Sequence, residues 1–242
     1  MLYSDFSLLY NEILDKNNLS DYKTEGFCKK FYEFYNLIVE FNAHTNITAI
    51  TDAKEVILKH FADCMHVAKL IPEGECKLID VGCGGGFPSL PVAILRPDIS
   101  ITSLDSTSKK IDFVNLAAQK LGLANVKGVA ARAEEFIKNT GATYDYCTSR
   151  AVARLNILSE LCIPYLKVDG VFLAMKAKSG QDELDEALLG IKKLGGEYIN
   201  TVRFEICGDN ENFSRNIIVI EKRSKTPAAY PRRYGQILKK PL

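Results

Sequence analysis

Long apolar runs are missing from this chain: none approaches the ~20 residues a bilayer-spanning helix needs. The opening stretch, Met1 to Leu14, carries acids and lacks a basic region followed by an apolar one. It is therefore not expected to be a secretory leader, and the chain is expected to be cytoplasmic. No Cys-x-x-Cys pair occurs among the cysteines Cys28, Cys64, Cys76, Cys83, Cys147, Cys162 and Cys207. Their number is odd and their spacing wide, which argues against zinc and against a disulfide framework; they read as small apolar filler in a reducing compartment. The three histidines, His44, His60 and His66, show no His-x-x-x-His spacing, and no metal is assigned. Internal repeats and low-complexity segments are also absent. Neither sign of charge prevails, with 31 Lys+Arg against 30 Asp+Glu.

What is present is a soluble-type composition of 242 residues, 47% hydrophobic and 25% charged, enough for one domain with a substantial extension. The near-neutral total hides an uneven spread. Residues 1–70 hold 7 Lys+Arg against 10 Asp+Glu, and residues 221–242 hold 7 against 1. A neutral body with a basic tail suits a nucleic-acid partner, or is a solvated tail with no partner.

The first 70 residues read as helices. Phe27, Phe31, Phe34, Ile38 and Phe41 recur at three and four residues and define one apolar face. A preceding helix passes through Phe6, Leu9 and Ile13. After the polar interruption "NAHTNITAITD", Asp52 can cap a third helix with Glu55 as its capping-box partner. From Cys76 the rhythm changes. "CKLIDV", "SITSLD", "VKGVA", "YDYCTSR" and "GVFLAMK" read as strands, separated by helices at about Pro88–Leu95, Ser108–Leu121, Glu134–Ile137, Asn156–Tyr165 and Asp182–Leu194. Such alternation implies an α/β fold with right-handed crossovers and a mostly parallel sheet. "YINTVRFEI" and "RNIIVIEKR" lack an intervening helix and read as an antiparallel hairpin at the sheet edge. The expected units are a helical extension over 1–72, an α/β domain over 73–224 and a basic tail over 225–242.

"LIDVGCGGGFP" places four of the 16 glycines in five positions directly after the first strand. In an open α/β sheet the ligand crevice lies beyond the strands' carboxyl ends, and glycine lets a ligand approach the backbone. Gly82, Gly84 and Gly86 give Gly-x-Gly-x-Gly rather than the dinucleotide fingerprint Gly-x-Gly-x-x-Gly, whose last position holds Phe87. Asp80, just before the turn, would repel a pyrophosphate and attract a cation such as the ammonium of S-adenosylmethionine. Asp105, at the end of the second strand, suits the ribose of either cofactor. A nucleotide-cofactor oxidoreductase is thus the weaker alternative, and a non-catalytic binding module that keeps the fold is another.

Asp80-x-Gly82-x-Gly84-x-Gly86 resembles the first motif of Rossmann-like class I methyltransferases. The longer strings "LIDVGCGGGFPSLPVAILRPD" and "SLDSTSKKIDFV" resemble one family, the bacterial small-subunit ribosomal RNA guanine-N7 methyltransferases (RsmG, also called GidB). "FNAHTNITAI", "HFADCM", "ARAEEF", "TSRAVARL", "FLAMK" and "YPRRYGQILKKPL" agree with it in order along nearly the whole chain. The resemblance implies a seven-stranded sheet, S-adenosylmethionine as cofactor, and N7 of one guanine in the 530 loop of 16S ribosomal RNA as target. The substrate would be that RNA or the small ribosomal subunit, and the chain is expected to be a monomer. Gly82 and Phe87 would line the cofactor site, with Asp80, Gly84 and Gly86 completing the turn. Asp105, Ser106 and Thr107 would meet ribose and adenine, Ala133 and Glu134 would flank the adenine, and Arg150 would close the pocket. Cys64, Thr107, Ser108 and Lys110 depart from the family's usual serine, Leu-Gly and arginine.

Guanine N7 carries a free lone pair and needs no general base, so none is assigned. The sequence agrees: "TSRAVA" stands where amine methyltransferases carry Asp/Asn-Pro-Pro-aromatic, and Cys147 inside the fourth strand reads as structural. Lys109, Lys110, Arg132, Arg154, Lys176 and Lys178 are expected along the strand-end rim as phosphate contacts. Arg150 either contacts cofactor or RNA there, or pairs with a nearby acid. Arg232 and Arg233, interleaved with Tyr230 and Tyr234, either bind RNA or belong to a tail folded back on the N-terminal helices. The RNA-binding alternative predicts that removing Tyr230 to Leu242 weakens RNA binding more than cofactor binding.

Overall fold

The computed structural model describes residues 1–177 and 180–242, so Lys178 lies outside the described residues. Seven strands form one sheet in the order β3-β2-β1-β4-β5-β7-β6. They are β1 (Cys76–Val81), β2 (Ile99–Asp105), β3 (Val126–Ala130), β4 (Tyr144–Arg150), β5 (Leu166–Lys176), β6 (Gly196–Cys207) and β7 (Asn212–Lys222). Strands β1 to β5 pair in parallel. β7 is antiparallel to both β5 and β6, so the expected hairpin forms the sheet edge. The order reverses between β1 and β4, which puts the ligand crevice at their carboxyl ends. β5 begins at Leu166, four residues before the expected Gly170. Leu166 pairs with Tyr144, but Lys167, Val168 and Asp169 are all exposed, so the extension lacks the alternation of buried and exposed positions that marks a strand.

Helices cover both faces. α1 (Tyr3–Lys16), α2 (Glu25–Asn42), α5 (Ser89–Leu95) and α6 (Ser108–Lys120) share one core with the sheet. α7 (Ala133–Thr140), α8 (Leu155–Cys162), α9 (Gly180–Lys193) and α10 (Tyr234–Lys239) lie on the other. Thr24 caps α2 by accepting from Phe27 N at 3.2 Å. Asp52 caps α3 (Ala53–Val56) by accepting from Glu55 N at 3.1 Å, while the Glu55 carboxylate turns to Lys59. The helix continues through a π-helical stretch, Ile57–Ala62, into α4 (Asp63–Leu70). π-Turns add backbone within a helix and often accompany functional side chains; this one carries Lys59 and His60. No described helix is long and apolar enough to cross a membrane.

The N-terminal helices are built into the core. Phe34 of α2 is fully buried, with its ring 5.4 Å from Phe61, 5.6 Å from Phe87 and 6.4 Å from Phe113. Through Phe87 it supports the glycine turn. Phe34→Ala is expected to cost about 3–5 kcal/mol in unfolding free energy, read from urea denaturation.

Candidate functional site

The glycine turn hangs from the end of β1. Gly82 N and Cys83 N donate to Leu104 O at 2.7 and 3.0 Å, fixing the turn against β2. Gly82 has φ +75, and a Cβ there would strike the Val152 side chain; a Cβ on Gly85 would strike Ile47. Side chains thus approach the bare backbone from the N-terminal segment and from the loop after β4. Asp105 braces the turn: one oxygen accepts from Gly84 N at 3.0 Å, the other from Thr107 N at 2.8 Å. Asp80 lies beneath. It is fully buried, and accepts from Ser89 N at 3.1 Å at the start of α5. Burial pushes its pKa up to about 7, and its second oxygen has no hydrogen-bond partner among the described residues.

A cavity of about 290 Å³ opens beside this turn. Gly82, Asp105, Ser106, Ala133 and Glu134 line it, as expected for cofactor contacts. Asp80, Gly84, Gly86, Phe87 and Thr107 do not; they form the turn's underside, its brace and the start of α6. Asp80 therefore acts on the turn through α5 and not as an open counter-charge. The cavity meets the requirements of S-adenosylmethionine. Gly82 brings bare backbone to the cavity wall beside Val152, Asp105 presents carboxylate at the strand end, and Ala133 is fixed by Tyr165, whose hydroxyl donates to its carbonyl at 2.6 Å. Lys110 and Arg132, expected as RNA contacts, line this cavity as well.

A second cavity, about 650 Å³, adjoins the first and shares Ala151 and Val152 with it. Arg150 lies here and not in the first cavity. Its side chain is 17% exposed and is held by the N-terminal helices. It donates to Lys59 O at 3.1 Å, to Asp63 Oδ2 at 3.2 Å and to His60 Nδ1 at 3.1 Å. Arginine only donates, so Nδ1 of His60 accepts, and the Nε2 proton goes to Thr48 Oγ1 at 2.9 Å. Burial, then the Arg150 charge, lowers the His60 pKa to about 3. The ring stacks on Phe87 with centroids 4.4 Å apart. Arg215 reaches the other Asp63 oxygen at 3.3 Å. Asn42 holds the strap that carries Thr48, its Oδ1 accepting from Ile47 N and Thr48 N at 2.8 and 3.1 Å. The acid expected beside Arg150 is thus Asp63, 87 residues away in sequence.

The expected RNA contacts divide. Lys109 and Arg233 are exposed, and Arg233 lines an outer cleft with Arg132. Arg154 is exposed and pairs with Glu186 at 2.6 Å. Lys176 and Arg232 are not open phosphate contacts. Lys176, 8% exposed, bonds Ala153 O and pairs with Glu183 at 2.8 Å. Arg232 neutralises the fully buried Glu160 of α8 at 2.5 Å. The tail packs on α8 and on α9, where Leu242 sits over Gly190, and not on the N-terminal helices. Cys147 is buried, and burial raises its thiol pKa well above the ordinary range, as suits a structural residue. Tyr234, expected with the tail, lines the first cavity, while Ile47, Thr48, His60, Asp63 and Val152 complete the site without having been assigned a role in it. The strings "FNAHTNITAI" and "HFADCM" marked four of them, but no local spacing joins those strings to β4.

The model of the family described as rRNA small subunit methyltransferase G, GidB, matches residues 27–212. A ribosomal RNA small subunit methyltransferase G of Staphylococcus carnosus is 45% identical over 218 residues, 88% of this chain and 90% of that one. Its counterpart in Desulforamulus reducens is 41% identical over 223 residues, 90% of this chain and 92% of the other. Among solved structures, a precorrin-6y C5,15-methyltransferase of Geobacter metallireducens aligns with TM-score 0.53 and 18% identity, over 67% of this chain and 88% of its own. TYW2 of M. jannaschii in complex with AdoMet aligns with TM-score 0.53 and 13% identity, over 67% and 77%. These two likenesses concern the fold.

Gly82→Asp puts a Cβ against Val152 and an anion at the cavity floor, in a left-handed conformation that aspartate tolerates. The variant is expected to stay folded by circular dichroism and to lose S-adenosylmethionine binding in calorimetry; retained affinity would refute this placement of the pocket. His60 titrates near 6.5 when unfolded and near 3 when folded, so its contribution is complete above about pH 6.5 and is lost as the pH falls toward 3. Urea midpoints at pH 7.5 and 5.0 should therefore fall further in the parent than in His60→Gln.

Proposed function

The chain belongs to the rRNA small subunit methyltransferase G family and is an S-adenosylmethionine-dependent methyltransferase, and from that premise we propose that it methylates N7 of a guanine in the 530 loop of 16S ribosomal RNA. The first cavity is the donor site and the second receives the base. S-adenosylmethionine supplies an electrophilic methyl group. The chain's own part is to hold donor and base on either side of Ala151 and Val152, and positioning can supply most of the catalysis of such a displacement.

One observation carries the choice of N7. Among the described residues, the acids and the histidine that line the second cavity are already engaged. Asp63 answers Arg150 and Arg215, Glu183 pairs with Lys176, and His60 accepts from Arg150. An exocyclic amine would have to lose a proton to one of them, whereas N7 has nothing to lose. Of the cations beside this cavity, Arg154 is exposed, and its surface pair with Glu186 is weak enough to be exchanged for a phosphate flanking the base, whereas Lys59 and Arg215 answer Glu55 and Asp63. Lys109, Lys110, Arg132 and Arg233 extend that surface around the donor side. An RNA substrate of this kind places the protein in the cytoplasm.

The test is methyl transfer from labelled S-adenosylmethionine to small-subunit RNA, naked and as assembled particles, from cells lacking the gene. The product is mapped by chain cleavage at N7-methylguanine. A single cleavage in the 530 loop is expected, with transfer falling steeply as salt rises. Label at another base would retain the enzyme class and reject the target; binding of donor without transfer to any small-subunit RNA would favour an assembly role.

A further inference from the structure

The C-terminal segment has a buried anchor. Glu160 on α8 is fully buried, and a carboxylate in that setting needs a charged partner with good geometry. Arg232 provides it: its backbone N and Nε reach Oε1 at 2.8 and 2.9 Å, and Nη2 reaches Oε2 at 2.5 Å. Beyond it, Ile237 of α10 is fully buried in the core cluster that also contains Leu161. Leu242 then sits against Gly190 of α9. These contacts fix the path of the segment on both sides of Tyr234.

That path brings Tyr234 into the donor cavity. Its side chain lines the same space as Ser106, Arg132, Ala133 and Glu134, the end assigned to adenine. The Arg132 guanidinium lies 5.5 Å from the ring centroid. The same tyrosine lines the outer cleft with Lys138 and Arg233, so it stands between donor cavity and basic surface. A residue that composition assigns to a nucleic-acid tether is part of the methyl-donor wall.

Resting on the donor assignment above, we propose that Tyr234 is a cofactor-binding residue that closes the adenine side of the S-adenosylmethionine site, and that the Arg232–Glu160 pair is the positioning contact that holds it there. A tyrosine face suits a purine, and the segment's anchoring means the ring need not be ordered when the donor arrives. Removing the tail would then weaken donor binding as well as RNA binding, which changes the expectation drawn from its charge alone.

The test uses the full chain and calorimetry with S-adenosylhomocysteine. Tyr234→Ala should raise Kd about tenfold, in line with the loss of an aromatic–base contact, with the circular dichroism of the unliganded chain unchanged at the assay temperature. Tyr234→Phe should bind like the parent. Glu160→Gln with Arg232→Gln removes the pair without leaving a lone buried charge, and should raise KM for the donor more than it lowers kcat. Parent-like affinity in Tyr234→Ala, or equal weakening in the Ala and Phe variants, would overturn the proposal alone. A parent chain that fails to bind S-adenosylhomocysteine would overturn it together with the donor assignment.

Discussion

A guanidinium at the end of a central strand must be answered by partners, and in this fold they come from elsewhere in the chain. Arg150 ends β4, where the neighbouring strands offer backbone already paired in the sheet. Its charge is met by Asp63, the Lys59 carbonyl and the His60 ring, all from the helical run over 53–70. Removing one member of such a pair leaves an uncompensated charge that costs about 3–5 kcal/mol. The helical extension is therefore bound to the carboxyl edge of the sheet by electrostatics as well as by Phe34 and Phe61. Once docked, it delivers Ile47 onto the glycine turn and stacks His60 on Phe87.

The same constraint shapes the chemistry. Because Asp63 and His60 are committed to Arg150, the second cavity is cationic and holds its acids in pairs. Between the cavities, Ala151 adopts φ 57, a left-handed conformation that costs an alanine about 1 kcal/mol, and Val152 reaches the bare face of Gly82. The loop after β4 touches both spaces at once. A reaction that needs two ligands aligned, and no proton taken, fits a site built this way.

The tail shows how far composition can be read. Seven basic residues against one acid in 221–242 suggest an open polycation, yet Arg232 is neutralised by Glu160, and Lys222 is buried with its ammonium on Ile163 O and Thr226 Oγ1. Charge counts describe supply and say nothing of partners 72 residues away. Lys176 repeats the lesson at the rim, where its ammonium holds the loop at Ala153 and pairs with Glu183.

The amino-acid order alone determined the alternation of strands and helices, the first, third and fourth strands to the residue, the edge hairpin and the glycine turn. Those features are written at separations of two to four residues, where side-chain period and backbone permission act directly. Tertiary structure decided which strand-end cation faces which cavity, that Asp80 supports the turn from beneath, and that Tyr234 lines the cavity beside the glycine turn. These depend on burial and on charge partners brought together from distant segments, and no local spacing encodes a contact between residues 63 and 150 or between 160 and 232.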